Sequence, residues 1–256
     1  MTEYHPEPYW SEVAKRIESR EGENVIAGDD EPFYRYKRKR FLKMLNAVHF
    51  TGKSILEIGS GPGGNLKEIW KKTPSRLVGV DISTDMINLS KSHLNSGIEL
   101  VKIDGASLPF QDQEFDGVFT ATVLQHNTNE KMLKKIMAEL CRVSKEKVFL
   151  FERIETEIKG DDLCYGRPVS YYKEICIQHG FELQSKSFIN IRVSYFISGI
   201  IRKVFGKKGR IEGEPYRKSV ILFQNITLPI TRLLDKIFVS KKDIARLEFE
   251  RKKINI

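Results

Sequence analysis

Cysteine is scarce in this 256-residue chain: Cys141, Cys164 and Cys176 stand 23 and 12 residues apart, with no CxxC and no nearby histidine pair. That spacing excludes a Cys/His zinc site and a disulfide framework, so three reduced thiols and no metal are expected. Long apolar runs are missing as well. No stretch approaches the ~18 residues of a membrane-spanning helix, and the opening MTEYHPEPYWSEV lacks the basic-then-apolar order of a secretory signal. The expected location is therefore cytoplasmic. With only 18 glycines and 9 prolines, and no internal repeat, the chain is not collagen-like or low-complexity. At 40% hydrophobic and 30% charged residues, it has the make-up of one or two packed domains.

The formal charge of +9 is not spread along the chain. Residues 1–200 hold 28 basic and 28 acidic side chains, whereas residues 201–256 hold 15 and 6. The whole excess is local to the C-terminal region, and no RNA-recognition motif accompanies it, so nucleic acid is not the expected partner. Its apolar residues, among them Phe196, Ile197, Ile200 and Ile201 beside Arg202 and Lys203, suit either a solvated basic face or contact with an anionic membrane or substrate.

The middle of the chain alternates strand and helix patterns, as a parallel sheet with crossover helices requires. SILEI (54–58), LVGV (77–80), 98–103, 115–119, KVFLF (147–151) and 181–187 read as six strands. Helices are expected over 65–71, 85–95, 130–143 and 170–178, the third from apolar residues at helical spacing. Residues 194–239 read as two amphipathic helices around the loop GKKGRIEGEP, with Pro229 expected to break or kink the second. A last strand is expected at 245–252, with 217–223 as the other candidate.

Glycines in EIGSGPGG (57–64), at a strand-to-helix turn, let the backbone approach a nucleotide-like ligand. The same letters satisfy GxGxxG, with Asp81 following Gly61 by 20 residues, so a dinucleotide remains an alternative. Glu57 inside the first strand would repel a pyrophosphate and suits a cationic group instead. Pro62 removes a backbone donor from the turn. Asp104 closes the third strand, where a carboxylate could hold an adenine amino group.

In this order and spacing, EIGSGPGG, VGVDIS, KIDGASLPF and EFDGVFTATVLQH resemble the motifs of class I S-adenosylmethionine-dependent methyltransferases, in particular the small-molecule, methyltransferase type 11-like kind. The resemblance covers about residues 54–152, with weaker support to 183. It implies a doubly wound, mostly parallel, seven-stranded Rossmann-like α/β sheet with a reversed last strand. On that frame residues 1–48 form an N-terminal helical cap and 49–193 the cofactor-binding core. Residues 194–239 form a helical lid inserted before the last strand, and 240–256 the last strand and basic tail. Carried over residue by residue, it places Gly59, Gly61 and Gly63 against the methionine and ribose parts of S-adenosylmethionine. Glu57 stands near the ammonium, Asp81 accepts the ribose hydroxyls and Ile82 packs on adenine. Asp104 accepts from the adenine amino group with Gly105 and Ala106 beside it, and Thr120 and Ala121 meet the methionine portion.

Around that frame, His126 at the mouth of the cleft can act as a general base or simply shape the pocket. Trp10, Phe33, Tyr34 and Tyr36 suit an aromatic lid as well as ordinary helix packing, and Arg35 or Arg40 could meet the cofactor carboxylate. Tyr34, Tyr36, Tyr165 and Arg167 are candidate substrate residues. The implied reaction moves a methyl group to an oxygen or nitrogen of a small molecule and leaves S-adenosylhomocysteine. A sugar or glycan intermediate is the first expected acceptor, and a quinone or lipid, including one at a membrane surface, the second. A non-catalytic S-adenosylmethionine-binding partner protein and an NAD-dependent oxidoreductase are the remaining alternatives.

Overall fold

The computed structural model describes residues 6–19, 31–105 and 107–253. Two helices come first, α1 (Pro6–Glu18) and α2 (Pro32–Leu45), and the alternating core follows. It comprises β1 (Ser54–Ile58), α3 (Gly64–Trp70), β2 (Arg76–Asp81), α4 (Thr84–His93), β3 (Glu99–Lys102) and β4 (Phe115–Ala121). A 3-10 turn (Leu124–His126), α5 (Glu130–Val143) and β5 (Ser144–Ile154) complete its second half. A hairpin, β6 (Lys159–Asp161) and β7 (Cys164–Gly166), precedes α6 (Val169–Gln178) and β8 (Phe181–Phe188). The long helices α7 (Arg192–Phe205) and α8 (Lys218–Ile237) then lead to β9 (Asp243–Arg251).

One seven-stranded sheet runs in the order β3-β2-β1-β4-β5-β9-β8. The pairs from β3 to β5 are parallel, and β9 runs antiparallel to both β5 and β8. The sheet is therefore Rossmann-like with the last strand reversed, as the resemblance implies. Its inner strands are short and almost wholly buried, which is why they read as compact apolar runs in the sequence. Leu56, Val80, Val118 and Leu150 pack with α5 and α6 on one face. Ile55, Leu77, Phe119 and Phe151 pack with α2 and α3 on the other.

Two expectations are corrected, and one element is added. Residues 217–223 are not a strand: Arg217 is the N-cap of α8, and the strand pattern that pairs is Asp243–Arg251. Pro229 does not break α8, which runs through it to Ile237. Both Pro229 and Asn225 are exposed, so the hydrogen bond that Pro229 removes lies on the solvent side of the helix. The β6–β7 hairpin was not read from sequence. It turns at Asp162-Leu163, where Asp161 Oδ1 accepts from the backbone N–H groups of Leu163 and Cys164, each at 3.0 Å, a local turn chemistry with little apolar pattern.

Candidate functional site

Strand order reverses between β1 and β4, and in such a sheet ligands settle beyond the carboxyl ends of the strands at that point. A cavity of about 800 Å³ opens there, lined by Gly59, Gly61, Asp81, Ile82, Asp104 and His126 among others. The glycine turn forms its floor. Gly59, Gly61 and Gly63 all have positive φ (71°, 52° and 82°), and the N–H groups of Gly59 and Ser60 both donate to the Val80 carbonyl at 2.8 and 2.9 Å. The three differ in what they leave room for. A Cβ at Gly59 would lie 2.4 Å from Val123 Cγ2, whereas one at Gly61 meets nothing within 4 Å. Gly61 is thus the open point of the turn. Gly63 caps α3 and packs under Leu94, and it does not line the cavity.

Asp81 ends β2 with its carboxylate fixed at both oxygens. Oδ2 accepts from the Gly61 N–H and Oδ1 from the Ser83 N–H, each at 2.8 Å. Burial raises its pKa above the ordinary value, opposed by these backbone donors. Each oxygen retains a second lone pair. Ile82 lies against Gly105, where an added Cβ would come within 2.8 Å of Ile82 Cδ1, and the Gly105 φ of 83° favours glycine there. Asp104 accepts from the Ser107 N–H at 3.2 Å and lines the cavity with Gly105. Ala106 lies outside the described residues.

Glu57 is fully buried in β1 but does not itself line the cavity. Its Oε1 accepts from Asn65 Nδ2 at 2.6 Å, and Arg38 Nη1 donates in turn to Asn65 Oδ1 at 2.5 Å. Its other oxygen has no hydrogen-bond partner among the described residues. Burial pushes the Glu57 carboxyl up to about 8, opposed by the Asn65 hydrogen bond and the Arg38 charge. Asn65 and Arg38 carry this relay to the cavity wall, and neither was singled out from sequence. Tyr34, Lys37, Arg38 and Phe41 line the wall together at i, i+3, i+4 and i+7 of α2, a periodicity that could have found them. Arg40 turns away to the Ile189 carbonyl.

Beyond β4 the chain bends at Thr122, whose φ is 60°. Ala121 and Thr122 line the cavity, while Thr120 is buried behind them. Glu152, buried on β5, accepts from the N–H groups of Val123 and Gln125 at 3.0 and 3.1 Å and so fixes the turn that carries His126. This carboxylate had no signal in the sequence beyond its place in an apolar strand. His126 Nδ1 donates to the Leu163 carbonyl at 2.9 Å, which leaves Nε2 as the acceptor, 3.1 Å from Gln125 Nε2. Burial lowers its pKa, which favours the neutral ring. The Trp10 ring of α1 meets it edge-on at 5.1 Å.

The other substrate candidates do not line the cavity. Tyr36 donates to Asp235 Oδ2 at 3.2 Å. Tyr165 lies under the Arg167 guanidinium. Arg167 is itself buried, donating to the Leu124 and Asn127 carbonyls at 3.0 and 2.8 Å and pairing with Glu130. Phe33 is buried beneath Arg202, so of the aromatic group only Trp10 and Tyr34 line the cavity. Glu212 joins them there from the connection between α7 and α8. Among the described residues no cluster of three or more metal-ligating side chains occurs, and no helix is long and apolar enough to cross a membrane.

A reversed-strand Rossmann-like sheet with acidic groups closing β2 and β3 over a glycine turn defines a class I methyltransferase architecture. Consistent with it, residues 55–147 match a family model described as a methyltransferase domain. A fatty-acid O-methyltransferase of Mycolicibacterium smegmatis is 30% identical over 96 residues, 37% of this chain and 35% of the relative. A 24-methylenesterol C-methyltransferase 2 of Oryza sativa subsp. japonica is 30% identical over 116 residues, 43% and 31% of the two chains. The chain thus spans about a third of the length of these relatives. Among solved structures, the [4+2]-cyclase SpnF superimposes with a TM-score of 0.59 at 16% identity, covering 83% of this chain and 80% of its own. Magnesium protoporphyrin IX methyltransferase from Synechocystis, solved with bound SAM, gives 0.57 at 12% identity, covering 94% and 90%. Likeness at this distance concerns the fold, and the cyclase shows that the fold alone does not fix a reaction.

Proposed function

We propose that this protein transfers a methyl group from S-adenosylmethionine to an oxygen or nitrogen of a small molecule, releasing S-adenosylhomocysteine. The observation that carries the reading is the meeting of Gly61, Asp81 and Asp104 on one cavity at the switch point of the sheet. The donor set fits the cofactor. Asp81 is prefixed by two backbone donors and keeps two lone pairs for a ribose diol, hydrogen bonds to a charged acceptor contributing about 1.5–3 kcal/mol each. The unpartnered oxygen of Glu57 and the Asn65 amide suit an ammonium group better than a pyrophosphate, which disfavours a nicotinamide dinucleotide.

When bound, S-adenosylmethionine supplies a methyl carbon that its sulfonium already makes electrophilic. The protein's own residues then hold the acceptor in line and exclude water. Trp10 and Tyr34 wall the cavity, and His126 Nε2, whose lone pair meets the Gln125 amide at 3.1 Å, serves as the base for the acceptor's proton once that amide gives way to the acceptor. Leu108, Met132 and Ile136 also line the space, and the fatty-acid and sterol substrates in the relatives' names are apolar. Both favour an acceptor with an apolar body, lipid- or quinone-like, over the sugar or glycan ranked first from sequence.

Calorimetric titration with S-adenosylhomocysteine and, separately, NADH, on the native chain and on Asp81→Ala, tests the cofactor. Micromolar binding of the first alone, lost in the variant, is expected; binding of NADH alone or of neither ligand overturns the reading. Turnover of a labelled methyl donor across lipid, quinone and sugar acceptors then separates an enzyme from a non-catalytic binding protein.

A further inference from the structure

Helices α7 and α8 turn much of their polar character inward. They bury Ser194, Ser198, Gln224, Thr231 and Asp235, and Ser194 Oγ donates across the pair to Asp235 Oδ2 at 2.6 Å. Their apolar residues are divided. Ile201, Val220 and Leu228 are buried, but Phe196, Val204, Ile226, Ile230, Leu233 and Ile237 are each at least 60% exposed. These follow the helical repeat: Phe196, Ile200 and Val204 on α7, and Leu222, Ile226, Ile230, Leu233 and Ile237 on α8. Each helix therefore turns a continuous apolar stripe outward, opposite the polar residues it buries. Monomers in water rarely leave apolar patches of such extent open, and polar residues between helices with apolar residues outside is the arrangement suited to a lipid surround.

The charge around the stripes is predominantly positive. Residues 192–242 hold 12 of the chain's 43 basic residues but only 3 of its 34 acidic ones, so this segment carries the entire net charge. Arg192, Lys203, Lys208, Arg217, Lys218 and Lys236 are all exposed.

We infer that the α7–α8 pair docks on an anionic lipid surface, with the apolar stripes inserted among the acyl chains and the basic side chains at the headgroups. A second copy of the chain is the poorer occupant, because a two-fold contact would set the same basic rim against itself. The inference does not require the methyl-transfer reading. If both hold, docking also brings the cavity to an apolar acceptor, since Glu212 between the two helices lines it.

The test is flotation of the full chain with vesicles of phosphatidylcholine alone and of phosphatidylcholine mixed with phosphatidylglycerol, at low and high salt. Binding is expected to the mixed vesicles and to weaken with salt. Ile226→Ser/Ile230→Ser/Leu233→Ser removes apolar area without changing charge and should weaken partitioning by at least about tenfold. Lys203→Gln/Lys236→Gln should also weaken it, by roughly fivefold or more. S-adenosylhomocysteine titration on each variant reports separately on the cavity, and circular dichroism on folding. Failure of the native chain to bind mixed vesicles overturns the inference. So does binding that the serine variant leaves unchanged. A dimer in sedimentation velocity that the serine variant abolishes, without vesicle binding, assigns the face to a second copy instead.

Discussion

Replacing Glu57 with glutamine tests a carboxyl whose proton is held by burial. Its native pKa of about 8 stands above the ordinary 4.5 because desolvation outweighs the Asn65 hydrogen bond and the Arg38 charge. Below 4.5 both native and unfolded chains carry the proton. As pH rises from there, the unfolded chain loses it while the native chain keeps it, so native stability falls until about pH 8 and then levels off. At 1.36 kcal/mol per unit, the full shift corresponds to at most about 5 kcal/mol. Glutamine mimics the protonated acid and can still accept from Asn65, so Glu57→Gln should be the more stable protein above pH 8 and should lose this slope. Urea unfolding of both proteins across the interval reads the difference directly. The same carboxyl links to the ligand. An ammonium brought to the Asn65–Glu57 pair favours the carboxylate, so S-adenosylhomocysteine binding should release a proton and tighten with pH in the native chain only. Calorimetry in buffers of different ionisation enthalpy measures that proton. Parallel stability curves for the two proteins would mean that Glu57 is already ionised and the burial argument is wrong. Binding without proton release would remove Glu57 from the ligand site.

His126, neutral and accepting at Nε2, should behave as a base: His126→Gln is expected to lower kcat by about 10² or more with little change in KM. Because burial lowers its pKa below 6.5, the acid limb of the native pH–rate profile should lie below that value and vanish in the variant; an unchanged profile assigns the ring to pocket shape alone. Arg167, with a fully buried side chain and three hydrogen-bonded partners, should act on stability. Arg167→Met strands the Leu124 and Asn127 carbonyls, since Glu130 is half exposed, and should cost about 2–3 kcal/mol in chemical denaturation while leaving S-adenosylhomocysteine affinity and acceptor KM as they were, whereas a raised acceptor KM at native stability would restore it as a substrate residue.

The parts of the fold legible in the sequence are those whose physics is local. SILEI and LVGV are buried on both faces, so they read as unbroken apolar runs, and a glycine or aspartate closes each where the backbone must turn or meet a ligand. Glu130–Val143 announced itself by helical spacing because one face alone is buried. What stayed hidden depends on pairs distant in the chain. Glu152 looks like a lone acid in an apolar strand until folding brings the Val123 and Gln125 N–H groups to it. Arg167 looks like a substrate residue until the Leu124 and Asn127 carbonyls occupy its donors. Asn65 gains meaning only between Arg38 and Glu57.

The C-terminal helices show the same division between pattern and partner. Their amphipathic spacing was legible, but spacing gives only the fact of two faces, and the usual inference is that the apolar face turns inward. Here the inward positions on α8 are occupied by Gln224, Thr231 and Asp235 as well as Val220 and Leu228. These polar groups can be buried because they have partners: Gln224 Oε1 accepts from the Phe33 N–H at 3.0 Å, and Asp235 accepts from the Val193 N–H at 2.7 Å. Each satisfied group offsets the penalty of its burial, so the inward face need not be apolar throughout. An inward face built of satisfied polar groups and an outward face of isoleucine, leucine and phenylalanine edged by lysine and arginine are together what the proposed docking on an anionic lipid surface requires.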